Sequence, residues 1–257
     1  MSGFGVLLRK ELAEAWRTRR LPAVALLFVA VGIVSPLTAR YLNEILGAAL
    51  GGDLSIPLPE PSAATALEQL QKNLGQLGAL AAIALAMGSV SGELDHGTAA
   101  LVLAQPVTRP AFLAAKLAGI AIVLGICTLA GVAVAWVYTV VLFGGVAPAG
   151  WVGFAVLAWL TLLTWAALAF LASAATGSTM AAAGIGFVAL VVISLLAVIP
   201  ALDRWLPSGL SVPATLVALG QTGSIDGAHL ATALAGTVAI IALSVAGAML
   251  AFGRREL

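Results

Sequence analysis

Long apolar runs, interrupted by short polar or glycine- and proline-rich stretches, dominate this chain. Six of them are long enough to cross about 30 Å of hydrocarbon at about 1.5 Å of helix per residue. They fall at Leu21–Ala39, Leu74–Ser91, Leu117–Phe143, Val152–Ser173, Met180–Pro200 and Leu230–Phe252. The expected fold is therefore an all-α polytopic membrane protein with six transmembrane helices, forming one domain over residues 1–257. Only the small polar stretch Ala174–Thr179 separates the fourth and fifth runs.

The segments between the runs carry patterns of their own. At about 100° per residue, Phe4, Leu8, Leu12, Ala15 and Trp16 share one helical face, with Arg9, Lys10, Glu14 and Arg17 opposite. Residues 1–20 thus predict an amphipathic elbow helix lying on the membrane surface; the alternative is a positive flank that only sets topology. Residues 40–73 form a long connecting segment, broken by Gly51–Gly52 and by Pro57, Pro59 and Pro61. Beyond Pro61, Ala63, Ala66, Leu67, Leu70 and Leu74 align on one face, which predicts an interfacial helix running into the second span. Ser62 is a good N-cap there, and Thr65 with Glu68 has the spacing of a capping box. That helix either gates a path or simply packs. Residues 200–228 mix Trp205, Leu206, Leu210, Val212 and Leu216 with Pro207, Gly209 and Pro213, a pattern suited to short re-entrant or interfacial helices.

Composition agrees with the pattern: 61% of residues are hydrophobic and 9% charged, far from a soluble domain. Net charge near zero argues against a nucleic-acid partner. The single Cys127, inside an apolar run, supplies neither a disulfide nor a thiolate metal site, and no metal is expected. The N-terminal charged region is too long for a signal peptide and no convincing cleavage site follows, so the first span is expected to be retained. With the N-terminus inside, Arg9, Lys10, Arg17, Arg19, Arg20, Arg109, Lys116, Arg254 and Arg255 are cytoplasmic, and only Arg40, Lys72 and Arg204 are outside. The positive-inside rule therefore predicts an inner-membrane protein with both termini cytoplasmic. Trp151 and Trp205 then fall at the outer interface, either as headgroup-level anchors or as helix packing.

The span cores contain no Asp, Glu, Lys, Arg or His. That argues against proton coupling and against a voltage sensor, although backbone carbonyls remain possible Na⁺ ligands. Gly88–Gly92 reads GSVSG, with Val90 where a nucleophile elbow needs serine. His96 and His229 lie on opposite sides in this topology, and no P-loop is present. The chain is not expected to be an enzyme. It either conducts passively or takes energy from a partner.

Residues 92–116, GELDHGTAALVLAQPVTRPAFLAAK, point to the partner. Glu93 and Asp95 place negative charge at the inner face. Gly97–Thr98 suits a turn and N-cap for a short helix ending by Gln105, where Pro106 stops it. Thr108 can cap a new helix with Pro110 in its first turn. The predicted product is a helix–break–helix elbow.

On these residues the chain resembles the ABC type 2 permeases, membrane subunits of many bacterial ATP-binding-cassette exporters. Their recurrent order of Glu, Gly-Thr, a Leu-rich helix, Pro-Val, Arg and Lys is matched by Glu93, Gly97, Thr98, Leu101, Leu103, Pro106, Val107, Arg109 and Lys116. The opening VLLRKELAEAWRTRR, Val6 to Arg20, is also similar to theirs. Two features depart from the pattern: the first outside segment is longer, and the fourth–fifth hairpin lacks basic residues.

The resemblance implies that Leu101–Gln105 is a coupling helix seated in an ATPase subunit, with Glu93 fixing the elbow; the alternative is that Glu93 and Arg109 are solvated charges. It implies two ATPase subunits per complex, which would bind ATP and Mg, and a second permease, either another copy or a similar chain. The chain itself would hold no cofactor. Other readings left open are an ATP-independent scaffold or maturation component for an outside metalloprotein, as some relatives in the broad family serve nitrous-oxide reductase assembly, and a passive channel.

Overall fold

The computed structural model describes residues 3–50, 60–95, 97, 107–145 and 147–255, which are helical with short connections and no strand among them. Among these described residues, six helices are long and apolar enough to cross a membrane. In chain order the elements are α1 (Phe4–Arg17), α2 (Arg20–Leu50), α3 (Ala63–Asn73), a π turn (Leu74–Gly78), α4 (Ala79–Met87), α5 (Ser91–Asp95), α6 (Arg109–Phe143), α7 (Pro148–Thr176), α8 (Thr179–Leu196), α9 (Pro200–Asp203), α10 (Ser211–Ala218) and α11 (Gly227–Gly253). Both termini lie at one end of the bundle, where Arg109 and Arg255 tie α6 and the C-terminus to their neighbours.

Local signals explain most boundaries. Ser62 caps α3, accepting from the Thr65 amide while the Thr65 hydroxyl accepts from the Ser62 amide. The reciprocal partner is thus Thr65 itself and not Glu68. Helix α3 then runs through the π turn into α4, and with the turn at residues 88–90 and α5 it makes one span of 33 residues, Ala63–Asp95. The first span extends past Ala39, because nothing before Gly51 interrupts the helix; Pro36 lies inside it. Thr108 caps α6, as its position before Pro110 predicts. The α7–α8 hairpin is tight: Gly177 adopts φ +70° as the helix C-cap, and Ser178 caps the next helix.

Helix α7 is the centre of the bundle. It packs against α4, α6, α8, α10 and α11, and Phe154, Leu162, Ala166 and Phe170 on it are essentially inaccessible. By contrast α8 buries only Ala182 and Gly186 and turns the rest of its apolar surface outward. Trp151 is buried against Phe154, so it packs within the protein, whereas Trp205 is half exposed. The residue 200–228 segment folds into short helices, as its broken apolar pattern suggests, and α10 packs along α7.

Without a hydrophobic driving force in lipid, helices associate by close backbone approach and hydrogen bonds. The α2–α6 contact shows both kinds of residue at work. A Cβ on Gly131 would collide with the Phe28 carbonyl, and one on Gly32 with the Gly131 carbonyl. Farther along, Gln69 donates to Asn73 and Asn73 donates to the buried Ser35 hydroxyl at 2.8 Å, joining α3 to α2.

Replacing Gly131 by Leu should separate α2 from α6 and destabilise the protein by about 3 kcal/mol. Gly184→Leu, where an added Cβ meets nothing, should change stability by less than about 0.5 kcal/mol. Thermal unfolding of the detergent-solubilised variants distinguishes them; equal midpoints would show that the glycine contact contributes nothing special.

Candidate functional site

The end of the bundle that carries the termini holds a cluster of charges assembled from three helices. Its foundation is a knot of hydroxyls. The Ser173 oxygen on α7 accepts from the Ser91 amide at 3.0 Å and its hydroxyl approaches Ser91 Oγ at 3.2 Å. Ser91 Oγ also lies 2.8 Å from Thr179 Oγ1 at the start of α8. Ser91, which sits in the stretch resembling a nucleophile elbow, is therefore a structural residue that locks the end of the second span.

From that fixed point α5 projects Glu93 toward the base of α6. Lys116 Nζ donates to Glu93 Oε1 at 2.8 Å and to Glu11 Oε1 at 3.1 Å. Lys10 Nζ donates to the same Glu93 oxygen at 2.7 Å. Lys116 has only 4% of its side chain exposed, against 42% for Lys10. The buried ammonium also lies 5.1 Å from the centre of the Phe112 ring, which stacks on Phe252 of α11. One cation thus connects α1, α5 and α6, and through Phe112 the last span.

Electrostatics make this cluster self-contained. Burial pulls the Lys10 pKa down, but the hydrogen bond and charge of Glu93, with the charges of Glu11 and Glu14, outweigh it and hold the ammonium above its usual 10.5. Glu11, Glu14 and Glu93 bring carboxylate oxygens within 4.8 Å of one another, a spacing that would suit a metal ion. Lys10, however, sits 2.7 Å from Glu93, 3.6 Å from Glu11 and 3.7 Å from Glu14. An ammonium already fills the cationic position, so the donor set does not fit a metal. Beside the cluster a cavity of about 600 Å³ reaches between α1, α4 and α6.

The residues expected to couple to a partner divide into two groups. Thr98, Leu101, Leu103 and Pro106 lie outside the described residues. Gly97 has φ +68°, a left-handed turn that glycine adopts without strain. Arg109 does not stand in solvent as an isolated charge: it donates to the Gly253 carbonyl at 2.8 Å, capping the end of α11. The segment 98–106 is therefore flanked by two anchors, Glu93 on one side and Arg109 with Lys116 on the other.

Helix α1 also departs from a simple surface helix. Phe4, Leu8 and Leu12 pack against the bundle core together with the buried Leu7, while Trp16 is 65% exposed. Lys10 and Glu14, expected on the solvated face, turn toward Glu93. The Glu93 carboxylate draws the Lys10 ammonium, Glu14 pairs with Lys10, and the charge of Lys116 holds Glu93 and Glu11 at the base of α6, where Gly119 leaves room for Glu11. Glu11 was not singled out from the sequence; its position one turn below Leu7, beside a lysine opening a span, was the available signal. The fourth–fifth hairpin lacks a basic residue of its own, but Arg255 supplies one by donating to the Ala175 carbonyl at 2.7 Å.

A family model described as ABC-2 family transporter protein matches residues 6–208. The chain is also similar to the "Uncharacterized transmembrane protein YxlG" of Bacillus subtilis (strain 168). The two are 30% identical over 208 residues, covering 79% of this chain and 80% of that protein.

Removing the buried cation should be costly because it leaves Glu11 and Glu93 facing each other. Lys116→Ala is expected to destabilise by about 3 kcal/mol or more, whereas the half-exposed Lys10→Ala should cost under about 1 kcal/mol. Thermal unfolding in detergent measures the difference; a larger loss for Lys10→Ala would reverse the assignment of the central cation.

Proposed function

Because the chain belongs to the ABC-2 transporter family, whose membrane proteins generally work with ATPase subunits, we propose that it is the permease subunit of an ABC exporter. In this reading two permeases form the path and two separate ATPases bind ATP and Mg. The observation that carries it is the double anchoring of residues 98–106. Glu93 on one flank and Lys116 with Arg109 on the other bind the segment to α1, α6 and α11. A push arriving at these flanking residues then reaches three helices together.

The mechanism follows from that connectivity. The apolar Leu101 and Leu103 seat in a groove of the ATPase. Closure of the ATPases on ATP displaces the segment, and the Glu93–Lys116–Glu11 pairing carries α1 and the base of α6 with it. The hydroxyl knot at Ser91, Ser173 and Thr179 passes the same movement to α7 and α8. Such rigid-body tilting opens the path at the far end. The termini end faces the cytoplasm of a bacterial cell, in accord with the positive-inside rule.

Orientation is tested by single cysteines in a Cys127→Ala background. Ser208→Cys should react with an impermeant thiol reagent in intact cells and Thr98→Cys should not; labelling at Thr98 from outside overturns the topology.

Coupling is tested by co-expression with a cognate ATPase. Leu101→Asp combined with Leu103→Asp places charge in an apolar contact, which costs about 4 kcal/mol and weakens assembly by about a thousandfold. Co-purification should be lost, while Arg204→Ala at the opposite end assembles normally. Unaltered recovery of the double variant would show that this segment is not the docking element.

A further inference from the structure

At the end of the bundle remote from the termini, two cavities adjoin. The first, about 590 Å³, lies between α3, α7, α8 and α10. Glu68, Gln71, Lys72, Ser194 and Ser211 line it with polar groups, and Trp165 closes its inner wall. The second, about 370 Å³, continues from it between the π turn and α8, lined by Leu80, Phe187, Val191 and Leu195. Gly75, Leu190 and Ser194 line both, so the two are one continuous site with a polar compartment and an apolar groove.

Depth matches chemistry. At about 1.5 Å per residue, Lys72 stands about 28 Å along its span from Ser91, and Leu80 about 16 Å. Phe187 and Ser194 lie about 12 and 22 Å along α8 from Thr179. With a hydrocarbon layer about 30 Å thick, the groove runs from near the mid-plane into the half of the bilayer away from the termini. The polar compartment falls at that half's headgroup level. Leu80, Phe187, Val191 and Leu195 are each 41% exposed or more, so the groove opens sideways to lipid.

Charge in the polar compartment is unpaired. The Gln71 side chain also lines it, its buried oxygen without a hydrogen-bond partner among the described residues. Glu68 and Lys72 face the same space with opposite charge, and among the described residues neither belongs to an ion pair. A net-neutral compartment holding one charge of each sign suits a head that carries both signs. An anionic or cationic head would meet one like charge.

We infer that this is a binding site for an amphiphile with a zwitterionic head and an apolar tail, entered laterally from the membrane. As a cargo site it rests on the permease reading, which also makes this half the outer leaflet; the binding itself does not. The occupant has two possible sources, a resident membrane phospholipid or a transported single-chain amphiphile.

The test uses the full chain in nanodiscs of phosphatidylglycerol and a lysophosphatidylcholine carrying a photoreactive group in its acyl chain. Crosslinks mapped by mass spectrometry should concentrate on residues 63–80, 187–195 and 207–219. They should exceed those from the matching lysophosphatidylglycerol by about tenfold. An added Cβ on Gly75 meets nothing, so Gly75→Leu fills the junction without disturbing packing and should lower labelling by about tenfold. Gly184→Leu should not change it. Labelling that spreads equally to lipid-facing Leu243 and Leu250 of α11, that prefers the anionic probe, or that ignores Gly75→Leu in a folded variant overturns the proposal. Competition by diacyl phosphatidylethanolamine as strong as by unlabelled lysophosphatidylcholine supports the site with resident phospholipid as its source. Competition by the single-chain lipid alone supports it with a cargo amphiphile. No ATPase is present in this experiment, so its failure leaves the permease reading standing, and loss of ATPase co-purification leaves this site standing.

Discussion

A buried ammonium, the one charged residue fully buried among the described residues, sets the geometry of one end of this protein. Lys116 opens the third span with its side chain almost wholly enclosed, and such a charge is tolerated only where carboxylates neutralise it. Glu93 and Glu11 do so from two different helices. The N-terminal helix therefore cannot float on the membrane surface independently of the bundle. It is held at the base of α6, its apolar residues packed inward and its acidic residues turned to the cluster. Lys10 completes the neutralisation from the solvent side.

The rest of the bundle obeys the opposite rule, since lipid offers no aqueous partner for polar groups and no hydrophobic force between helices. Contact is achieved by removing side chains and by satisfying hydroxyls internally. Gly32 and Gly131 bring α2 and α6 to backbone contact, and Ser91, Ser173 and Thr179 hydrogen-bond across three helices. Helix α7, surrounded on most sides, is the element on which these contacts converge. Helix α8, buried on one narrow stripe, leaves most of its apolar surface turned outward.

The two ends thus differ in kind. At the termini end, charge pairs and hydroxyl knots fix the flanks of residues 98–106 beside a cavity lined by the charged cluster itself. The other end is built from short helices around open space, where α3, α8 and α10 enclose a compartment polar on one side and apolar on the other. On the proposed reading, force enters at the first end through the paired charges and an amphiphile is held at the second. Tight packing transmits displacement, because close-packed interiors do not deform continuously; loosely filled space accepts a ligand.

Six apolar runs, their caps and the bias of Lys and Arg were legible directly, because span length and backbone satisfaction are local properties. Thr108 before Pro110, Ser62 before α3 and the apolar stripe of α1 marked their helices from neighbouring residues alone. The family resemblance was equally legible in the order of residues from Glu93 to Lys116. Which charges meet was not, since Glu11 and Glu93 are separated by 105 and 23 positions from Lys116, the lysine they share. A charged face drawn on a helical wheel looks solvated until another helix presents its countercharge. The same limit hid the role of Arg109 at the end of α11 and the cavity at Gly75. Periodicity assigns each helix its faces, but only the tertiary structure decides which faces pair and where space is left between them.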